Sequence, residues 1–155
     1  MLSQKKINAR MHELAALLDY DCRKLSHIKD AMYCKKEEGR NDYTNDAMAT
    51  LGDAVMKLVW SEHFFAMGLD KDGITERKAA LEKNATLRRI CDRVGIYRYA
   101  YNDHFFADEA PKNQRLPYGK HDIYLEALIA AVYLDRGLDY TRAWILRFWQ
   151  KNGEI

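Results

Sequence analysis

The chain is poor in the residues that interrupt helices. Of its 155 residues only two are proline and eight are glycine, so most of the sequence can be helical. Apolar and polar residues do not alternate over the length of a convincing strand, which argues against a β-sheet protein. The length fits one domain, and no linker or internal repeat divides it. We therefore predict an all-α protein with a single domain over residues 1–155.

Cysteine and long apolar runs are also scarce. The three cysteines, Cys22, Cys34 and Cys91, are widely spaced without a CxxC motif, which indicates free thiols in a reducing compartment and gives no zinc signal. No apolar run reaches the roughly 18 residues of a membrane span, and the N-terminal segment lacks the apolar block of a signal peptide. The net charge of +2 is too small to identify a polyanionic partner. We expect an intracellular, soluble protein of the cytoplasm or an organelle matrix, with no membrane partner.

Apolar residues recur at three- and four-residue spacing along most of the chain, which is the pattern of amphipathic helices. This spacing predicts helices at 4–18, 23–36, 45–67, 75–94 with a break near Asn84, 121–136, and a last helix ending near Gln150. Gly68 and Gly137 are expected just past the ends of the third and fifth of these. Residues 95–120 are aromatic, charged and aperiodic and hold both prolines, so we predict a long loop with at most a short helix.

Two of the predicted helices are apolar almost throughout, and each carries one carboxylate in its middle. Asp53 lies within residues 47–60, and Glu126 lies within residues 123–134. Such helices belong in a core, where an uncompensated carboxylate costs several kcal/mol, and a metal ion held between the two acids is one compensation. Gly52 costs about 1 kcal/mol inside a helix relative to alanine, which indicates close approach by a backbone or a ligand. The alternative to a metal site is that Gly52 is a small residue at a helix crossing and that Asp53 is a core acid with a capping or arginine partner.

The sequences around the two acids resemble the two signatures of the ribonuclease III catalytic domain, with LGDAV at residues 51–55 and EALIAAVYLDRG at residues 126–137. Residues 77–87 resemble the segment between the signatures, and residues 14–20 and 25–31 resemble the first two helices. The resemblance runs from about residue 12 to residue 148. It implies a helical-bundle endonuclease domain that forms a symmetric dimer. It also implies that double-stranded RNA lies between the protomers and that Mg²⁺, or Mn²⁺, is held by an acidic cluster for phosphodiester hydrolysis.

The chain departs from this family at two of four acidic positions. The resemblance implies a Glu four residues before Asp53, where this chain has Ala49, and an Asp three residues before Glu126, where it has Ile123. Asp53 and Glu126 are therefore the predicted catalytic residues and metal ligands. With only two of the four expected acids, we predict a weakened metal site.

Nearby side chains are further candidate metal ligands. Thr50, three residues before Asp53, could lend a hydroxyl, which is a weaker ligand. Asp122, four residues before Glu126, lies within about 40° of it around a helix, and the alternative for Asp122 is a first-turn acid interacting with the helix dipole. Asp46 lies about 10 Å from Asp53 along the helix axis, so we expect it on a surface or at the dimer seam.

Two functions follow from the resemblance, and the sequence leaves both open. The first is a ribonuclease III-like protein that acts on structured or double-stranded RNA with weakened or lost nuclease activity, as an RNA-binding or scaffold partner. The second is an active Mg²⁺-dependent endoribonuclease with a reduced acidic cluster. Either pairs as a homodimer or as a heterodimer with another ribonuclease III-like chain.

The RNA-binding surface is predicted from basic residues between the two signatures. Contacts of this kind with phosphates make RNA affinity fall steeply with salt, whereas a solvated helix face is the alternative explanation of such a charge run. Because the sequence stops at Ile155, we expect no separate double-stranded-RNA-binding domain. The candidates are Arg77, Lys78, Lys83, Arg88 and Arg89.

Overall fold

Helices make up most of the computed structural model, which describes residues 1–118 and 123–155. In those residues the α-helices are α1 (Gln4–Leu17), α2 (Leu25–Met32), α3 (Asp46–Ala66), α4 (Lys71–Glu82), α5 (Asn84–Val94) and α6 (Ile123–Lys151). Two short 3-10 helices, Ile96–Tyr99 and Lys112–Gln114, lie between α5 and α6. None of the helices in this part of the chain has the length and apolarity that crossing a bilayer requires. The all-α prediction is confirmed.

Two helix boundaries differ from the sequence prediction. Helix α2 ends at Met32 rather than near residue 36, because the Cys34 backbone N–H donates to the carbonyl of Tyr101 at 2.8 Å instead of continuing the helix. Helix α4 begins at Lys71 rather than near residue 75, because the Asp70 side chain accepts the N–H of Gly73 at 2.8 Å and caps it. Both differences arise from hydrogen bonds that apolar periodicity does not report.

The predicted interruptions of the helices are confirmed. The break near Asn84 falls at Lys83, which has extended dihedral angles between α4 and α5. Gly137 has a φ of 83° and leaves helical geometry inside α6, so this helix consists of two segments that meet at a kink. Gly68, just after α3, also has a φ of 83°. A positive φ is available to glycine at little cost, which explains both positions.

The close crossing of α3 and α6 forms the centre of the fold. The first half of α6 is buried from Tyr124 to Val132 except at Glu126, which is half-buried. At Gly52 of α3, an added Cβ atom would lie 1.7 Å from the backbone carbonyl oxygen of Glu126. Only glycine permits this approach, so the expectation of a close backbone neighbour at this glycine is confirmed. The crossing brings the residue after Gly52 next to Glu126.

Buried tryptophans fix the outer helices to this central pair. The rings of Trp60 on α3 and Trp149 on α6 pack edge to face, with centroids 5.9 Å apart. The indole N–H of Trp149 donates to the carbonyl of Leu81 on α4 at 3.1 Å, and that of Trp144 donates to the carbonyl of Leu18 after α1 at 2.8 Å. The indoles of Trp144 and Trp149 are therefore buried with their polar atoms satisfied, whereas the buried N–H of Trp60 has no hydrogen-bond partner among the described residues.

Asp135 anchors the connection between α1 and α2 onto α6. Its carboxylate accepts the backbone N–H groups of Arg23 at 2.8 Å and Lys24 at 2.9 Å, and it also accepts the hydroxyl of Tyr20. Burial alone would raise the pKa of this carboxyl, but the three donors outweigh burial and lower the pKa below its ordinary value. Asp135 belongs to the second signature and is a structural residue here, about two turns from Glu126.

Candidate active site

Asp53 and Glu126 line one shallow pocket at the crossing of α3 and α6. The pocket has a volume of about 330 Å³, and its lining consists of Asp46, Ala49, Thr50, Asp53, Ile123 and Glu126. The two predicted catalytic acids, although 73 positions apart, are thus brought together by the contact at Gly52. The four other lining residues are the ones that decide what the pocket can bind.

The pocket lies at the rim of the core and is open to solvent. The Asp53 side chain is 37% exposed, and Glu126 is half-buried. The expectation that both acids stand inside an apolar core is therefore wrong. The outward face of α3 carries Leu51 and Leu58, both exposed, so the helix reads as apolar all round even though one side faces water. An acid at this rim retains part of its hydration and does not need a metal ion for compensation.

The two positions where the family resemblance implies further acids are apolar and face the pocket. Ala49, one turn before Asp53, is 6% exposed. Ile123 is the first residue of α6 and packs partly against the core. Neither side chain can coordinate a metal ion, so on this side the pocket wall offers methyl groups where a metal site needs oxygen atoms.

The supplementary ligand candidates contribute little. Thr50 lines the pocket, but its hydroxyl donates to the carbonyl of Asp46 at 3.1 Å within α3. The Asp46 carboxylate lines the pocket too and accepts the backbone N–H of Tyr43 at 2.7 Å, at the start of the helix. Asp122 lies outside the described residues. Asp46, which we expected on a surface or at the dimer seam, is therefore a third carboxylate of the pocket among the described residues, beside Asp53 and Glu126.

Lys57 brings a positive charge to this acidic edge. Its ammonium donates to Oδ1 of Asp53 at 2.8 Å, one helical turn away, and lies 3.9 Å from Oε1 of Glu82 at the end of α4. Partial burial alone would lower the pKa of Lys57, but the hydrogen bond to Asp53 and the charges of Glu82, Asp53 and Glu126 together raise it above its ordinary value. The lysine is therefore charged at neutral pH and held towards the acids.

Glu82 is a further acid beside Lys57, outside the pocket lining, and the sequence analysis did not identify it. Its side chain is only 10% exposed, with the ammonium groups of Lys57 and Lys78 at 3.9 Å and 3.8 Å. Burial raises the pKa of Glu82; the two lysines oppose this effect, and the nearby charge of Asp53 adds to it. The only sequence signal was its place at the end of a predicted helix, because the contact joins positions 25 residues apart on different helices.

This set of residues does not fit a divalent metal ion. In the described parts of the chain, no three His, Cys, Asp or Glu side chains come together in an arrangement that could hold one. Mg²⁺ requires oxygen ligands at about 2.1 Å in near-octahedral geometry. Asp53, however, is hydrogen-bonded to the ammonium of Lys57, and two of the lining residues, Ala49 and Ile123, are apolar. In this arrangement the charge of Asp53 is met by the ammonium of Lys57.

Two of the five candidate RNA-binding residues, Lys78 and Arg88, pack against their own chain. Lys78 faces Glu82, as described above. The Arg88 guanidinium lies 4.0 Å from the ring centroid of Tyr118, a cation–π arrangement, and 3.9 Å from the carboxylate of Asp92. Contact with RNA would require each of these side chains to share or exchange its present partner.

The remaining three candidates differ in their availability. Arg89 donates to both carboxylate oxygens of Glu154, at 2.8 and 3.3 Å. Arg77 and Lys83 have exposed side chains, and among the residues that the structure describes neither takes part in an ion pair. Arg77 and Lys83 are therefore the candidates most accessible to a phosphate group.

Comparison with known proteins identifies the family. The sequence model of the ribonuclease III domain matches residues 46–137, which is more than half of the chain and includes both halves of the pocket. The chain belongs to the ribonuclease III domain family. This confirms the family predicted from LGDAV and EALIAAVYLDRG, and the match includes the positions of Ala49 and Ile123.

Individual relatives are similar over part of their length. Ribonuclease 3 of Chloroflexus aurantiacus is 32% identical over 112 residues, which cover 71% of this chain and 45% of the relative. Ribonuclease 3 of Clostridium acetobutylicum is 30% identical over 117 residues, covering 71% of this chain and 47% of the relative. The chain thus spans about half the length of these curated relatives.

Solved structures of ribonuclease III nuclease domains share the fold. Two structures of the nuclease domain from Campylobacter jejuni give TM-scores of 0.73 and 0.69, each at 24% sequence identity. The first comparison covers 94% of this chain and 99% of the Campylobacter chain, and the second covers 99% and 97%. The helical arrangement of a ribonuclease III nuclease domain is therefore present over nearly the whole chain.

Proposed function

We propose that this chain is a ribonuclease III-like protein that acts on structured or double-stranded RNA and has weakened or lost nuclease activity. The observation that carries the proposal is the wall of the pocket, where Ala49 and Ile123 stand beside Asp53 and Glu126. The pocket carboxylates, one of them bound to Lys57 and another to the backbone N–H of Tyr43, offer Mg²⁺ or Mn²⁺ few of the oxygen ligands that they require. Loss of the metal weakens hydrolysis and leaves the surface around the pocket in place.

RNA binding is supported by family membership and by the exposed basic residues on α4 and next to α5. Arg77 and Lys83 offer cationic side chains to a phosphate backbone, while Lys78, Arg88 and Arg89 would have to exchange intramolecular partners. Neutralisation of phosphates releases counterions, so the affinity for duplex RNA should fall steeply as salt rises. Modest affinity at physiological salt is expected from so few contacts.

Incubation of the purified protein with duplex RNA tests the proposal. We expect RNA binding that is similar in EDTA, Mg²⁺ and Mn²⁺ and weakens with salt, together with no cleavage above the level of Asp53→Ala and Glu126→Ala variants. Binding is measured by fluorescence anisotropy at 50 and 200 mM salt, and cleavage is measured on denaturing gels. Absence of salt-dependent RNA binding would contradict the proposal.

The second candidate is a Mg²⁺- or Mn²⁺-dependent endoribonuclease with a reduced acidic cluster. The observation in its favour is that Asp53 and Glu126 still share one solvent-open pocket, where RNA phosphates could complete a metal shell. The same experiment separates the two candidates. Cleavage by the wild type that disappears in both Asp53→Ala and Glu126→Ala would establish the endoribonuclease and exclude the inactive alternative.

Pairing through α3 is supported by an apolar stripe on its outer face. Leu51, Leu58 and Phe65 follow one another at seven-residue spacing, which places them on one side of the helix, and they are 36%, 46% and 74% exposed. One of the Campylobacter structures describes a region involved in dimer formation in that protein. We expect a homodimer by analytical ultracentrifugation and a monomer for Phe65→Glu. A wild-type monomer would instead favour a heterodimer with another ribonuclease III-like chain.

An intracellular setting, the cytoplasm or an organelle matrix, fits the free thiols of Cys22, Cys34 and Cys91. A single ribonuclease III-like domain over residues 1–155 fits the helices that pack around α3 and α6. Both statements belong to the proposal, and both are compatible with either candidate activity.

A further inference from the structure

Lys57 is placed differently from an ordinary surface lysine. An exposed Lys and Asp one helical turn apart stabilise a helix only weakly, and the contact between Lys57 and Asp53 taken alone would be of this kind. Here the same ammonium also faces Glu82, a carboxylate on another helix whose side chain is only 10% exposed. The charge of Glu126, on a third helix, acts on it as well. The ammonium of Lys57 thus interacts electrostatically with acids of α3, α4 and α6.

The nearly buried carboxylate of Glu82 explains why a cation is retained beside Asp53. Burying the charge of Glu82 costs free energy unless a positive charge lies nearby. Lys57 lies 3.9 Å from one of its oxygens and Lys78 lies 3.8 Å from the other. Of these two lysines, Lys57 is the one that also binds Asp53. Lys57 therefore links the buried acid to the pocket acid with a single charge.

The position of this ammonium conflicts with a metal ion at Asp53. A divalent ion coordinated by Oδ1 of Asp53 would lie about 2.1 Å from that oxygen, which already accepts a hydrogen bond from the Lys57 ammonium at 2.8 Å. Two cations cannot share this oxygen at such distances without strong repulsion. Metal binding at this oxygen therefore requires that Lys57 leave it, while Ala49 and Ile123 supply no ligand in exchange.

We propose that Lys57 is the resident cation of this pocket and that its ammonium keeps divalent metal ions away from Asp53 and Glu126. The inference deepens the proposed function and rests on it in taking the pocket to correspond to the family's metal site. It gives a second cause of weak metal binding, in addition to the absence of acids at positions 49 and 123. A site that has lost ligands binds metal weakly, whereas a site that holds its own cation excludes the metal and keeps a single positive charge.

Titration of the protein with Mn²⁺, in the absence of RNA, tests this role by isothermal calorimetry. We expect weak or undetectable binding for the wild type and an affinity at least about 10-fold higher for Lys57→Met, comparable to the effect of residues that surround metal ligands. Lys57→Arg retains the charge and should behave as the wild type. In the Lys57→Met background, Asp53→Asn should abolish the gain, which assigns the bound ion to this pocket.

Lys78→Met is the matched control, because Lys78 lies as close to Glu82 as Lys57 does but is not the partner of Asp53. We expect no change in Mn²⁺ affinity for this variant. An equal gain in Lys78→Met would show a general charge effect, and an unchanged affinity in Lys57→Met would show that the lysine excludes nothing; either result overturns the proposal. The Lys57 side chain is 47% exposed, and Lys57→Gln carries the same test if the methionine variant does not fold.

The result of the Mn²⁺ titration of the Lys57 variants is independent of the result of the RNA-binding experiment. Failure of the wild type to bind duplex RNA contradicts the proposed function and leaves the metal titration readable. Equal Mn²⁺ affinities for the wild type and Lys57→Met contradict the resident cation, whatever the protein does with RNA. Tight Mn²⁺ binding by the wild type itself contradicts the resident cation and favours the endoribonuclease.

Discussion

Restoring two carboxylates through Ala49→Glu and Ile123→Asp is expected to give the chain Mg²⁺-dependent cleavage of duplex RNA. Both positions line the pocket with Asp53 and Glu126, so the variant presents the four acids that the family resemblance implies, beside Asp46. A bound metal ion that generates a nucleophile and stabilises a leaving oxygen contributes several kcal/mol to such a reaction. Since each 1.4 kcal/mol is a factor of about 10 in rate, we expect an increase of at least about 100-fold over the wild type.

The two substitutions should be tolerated by the fold. Ile123 is the first residue of α6, where a carboxylate interacts favourably with the helix dipole and partly offsets the lost apolar contact. Ala49 is 6% exposed but lies against the pocket, so a longer side chain has room to reach solvent. Circular dichroism of the variant should therefore show wild-type helix content.

The control variant for this prediction carries side chains of the same shape as the introduced acids but without their charge. Ala49→Gln with Ile123→Asn should remain inactive in Mg²⁺ and Mn²⁺, because neutral amides do not replace carboxylates around a divalent ion. Cleavage is followed on a fluorescently labelled RNA duplex by denaturing gel electrophoresis. Adding Lys57→Met to the four-acid variant should raise its Mg²⁺ affinity further. A folded four-acid variant that gains neither Mn²⁺ affinity nor cleavage would show that these positions are not the missing acids.

The sequence identified the parts of this site that follow from local chemistry. Gly52 is unfavourable in a helix interior, so its presence indicated a close neighbour, and the structure places the Glu126 backbone there. The break at Gly137 followed from the same kind of reasoning, because glycine adopts a positive φ readily. In both positions a single residue type carries a specific backbone requirement that can be read without the fold.

The parts that the sequence missed depend on contacts between distant segments. Glu82 meets Lys57 only because α4 packs beside α3, and no periodicity within either helix indicates that meeting. The end of α2 depends on Tyr101, which lies 67 residues after Cys34. The exposure of Asp53 was obscured for a different reason. Leu51 and Leu58 point outward from α3, and exposed apolar residues look in sequence like those of a core helix.

Gly52→Ala is expected to cost more stability than most single substitutions in the chain. The added Cβ atom would lie 1.7 Å from the carbonyl oxygen of Glu126, 2.6 Å from its carbonyl carbon, and 3.1 Å from the backbone nitrogen of Ala130. All three atoms are backbone, so no side chain can rotate away and the two central helices must separate. Overpacking of this kind costs about 1–3 kcal/mol and sometimes more. Alanine returns only about 1 kcal/mol in helix propensity, so the net effect is destabilising.

Gly73→Ala is the matched substitution, because Gly73 also lies inside a helix but its added Cβ atom would meet the side chains of Asp70 at 3.1 Å and Leu69 at 3.4 Å. These side chains can adjust, so we expect a small change in stability of either sign. Urea denaturation followed by circular dichroism measures both variants against the wild type. Equal unfolding midpoints for Gly52→Ala and the wild type would mean that α3 and α6 do not cross this closely. In that case, the helix crossing at Gly52 would no longer explain why Asp53 and Glu126 line one pocket.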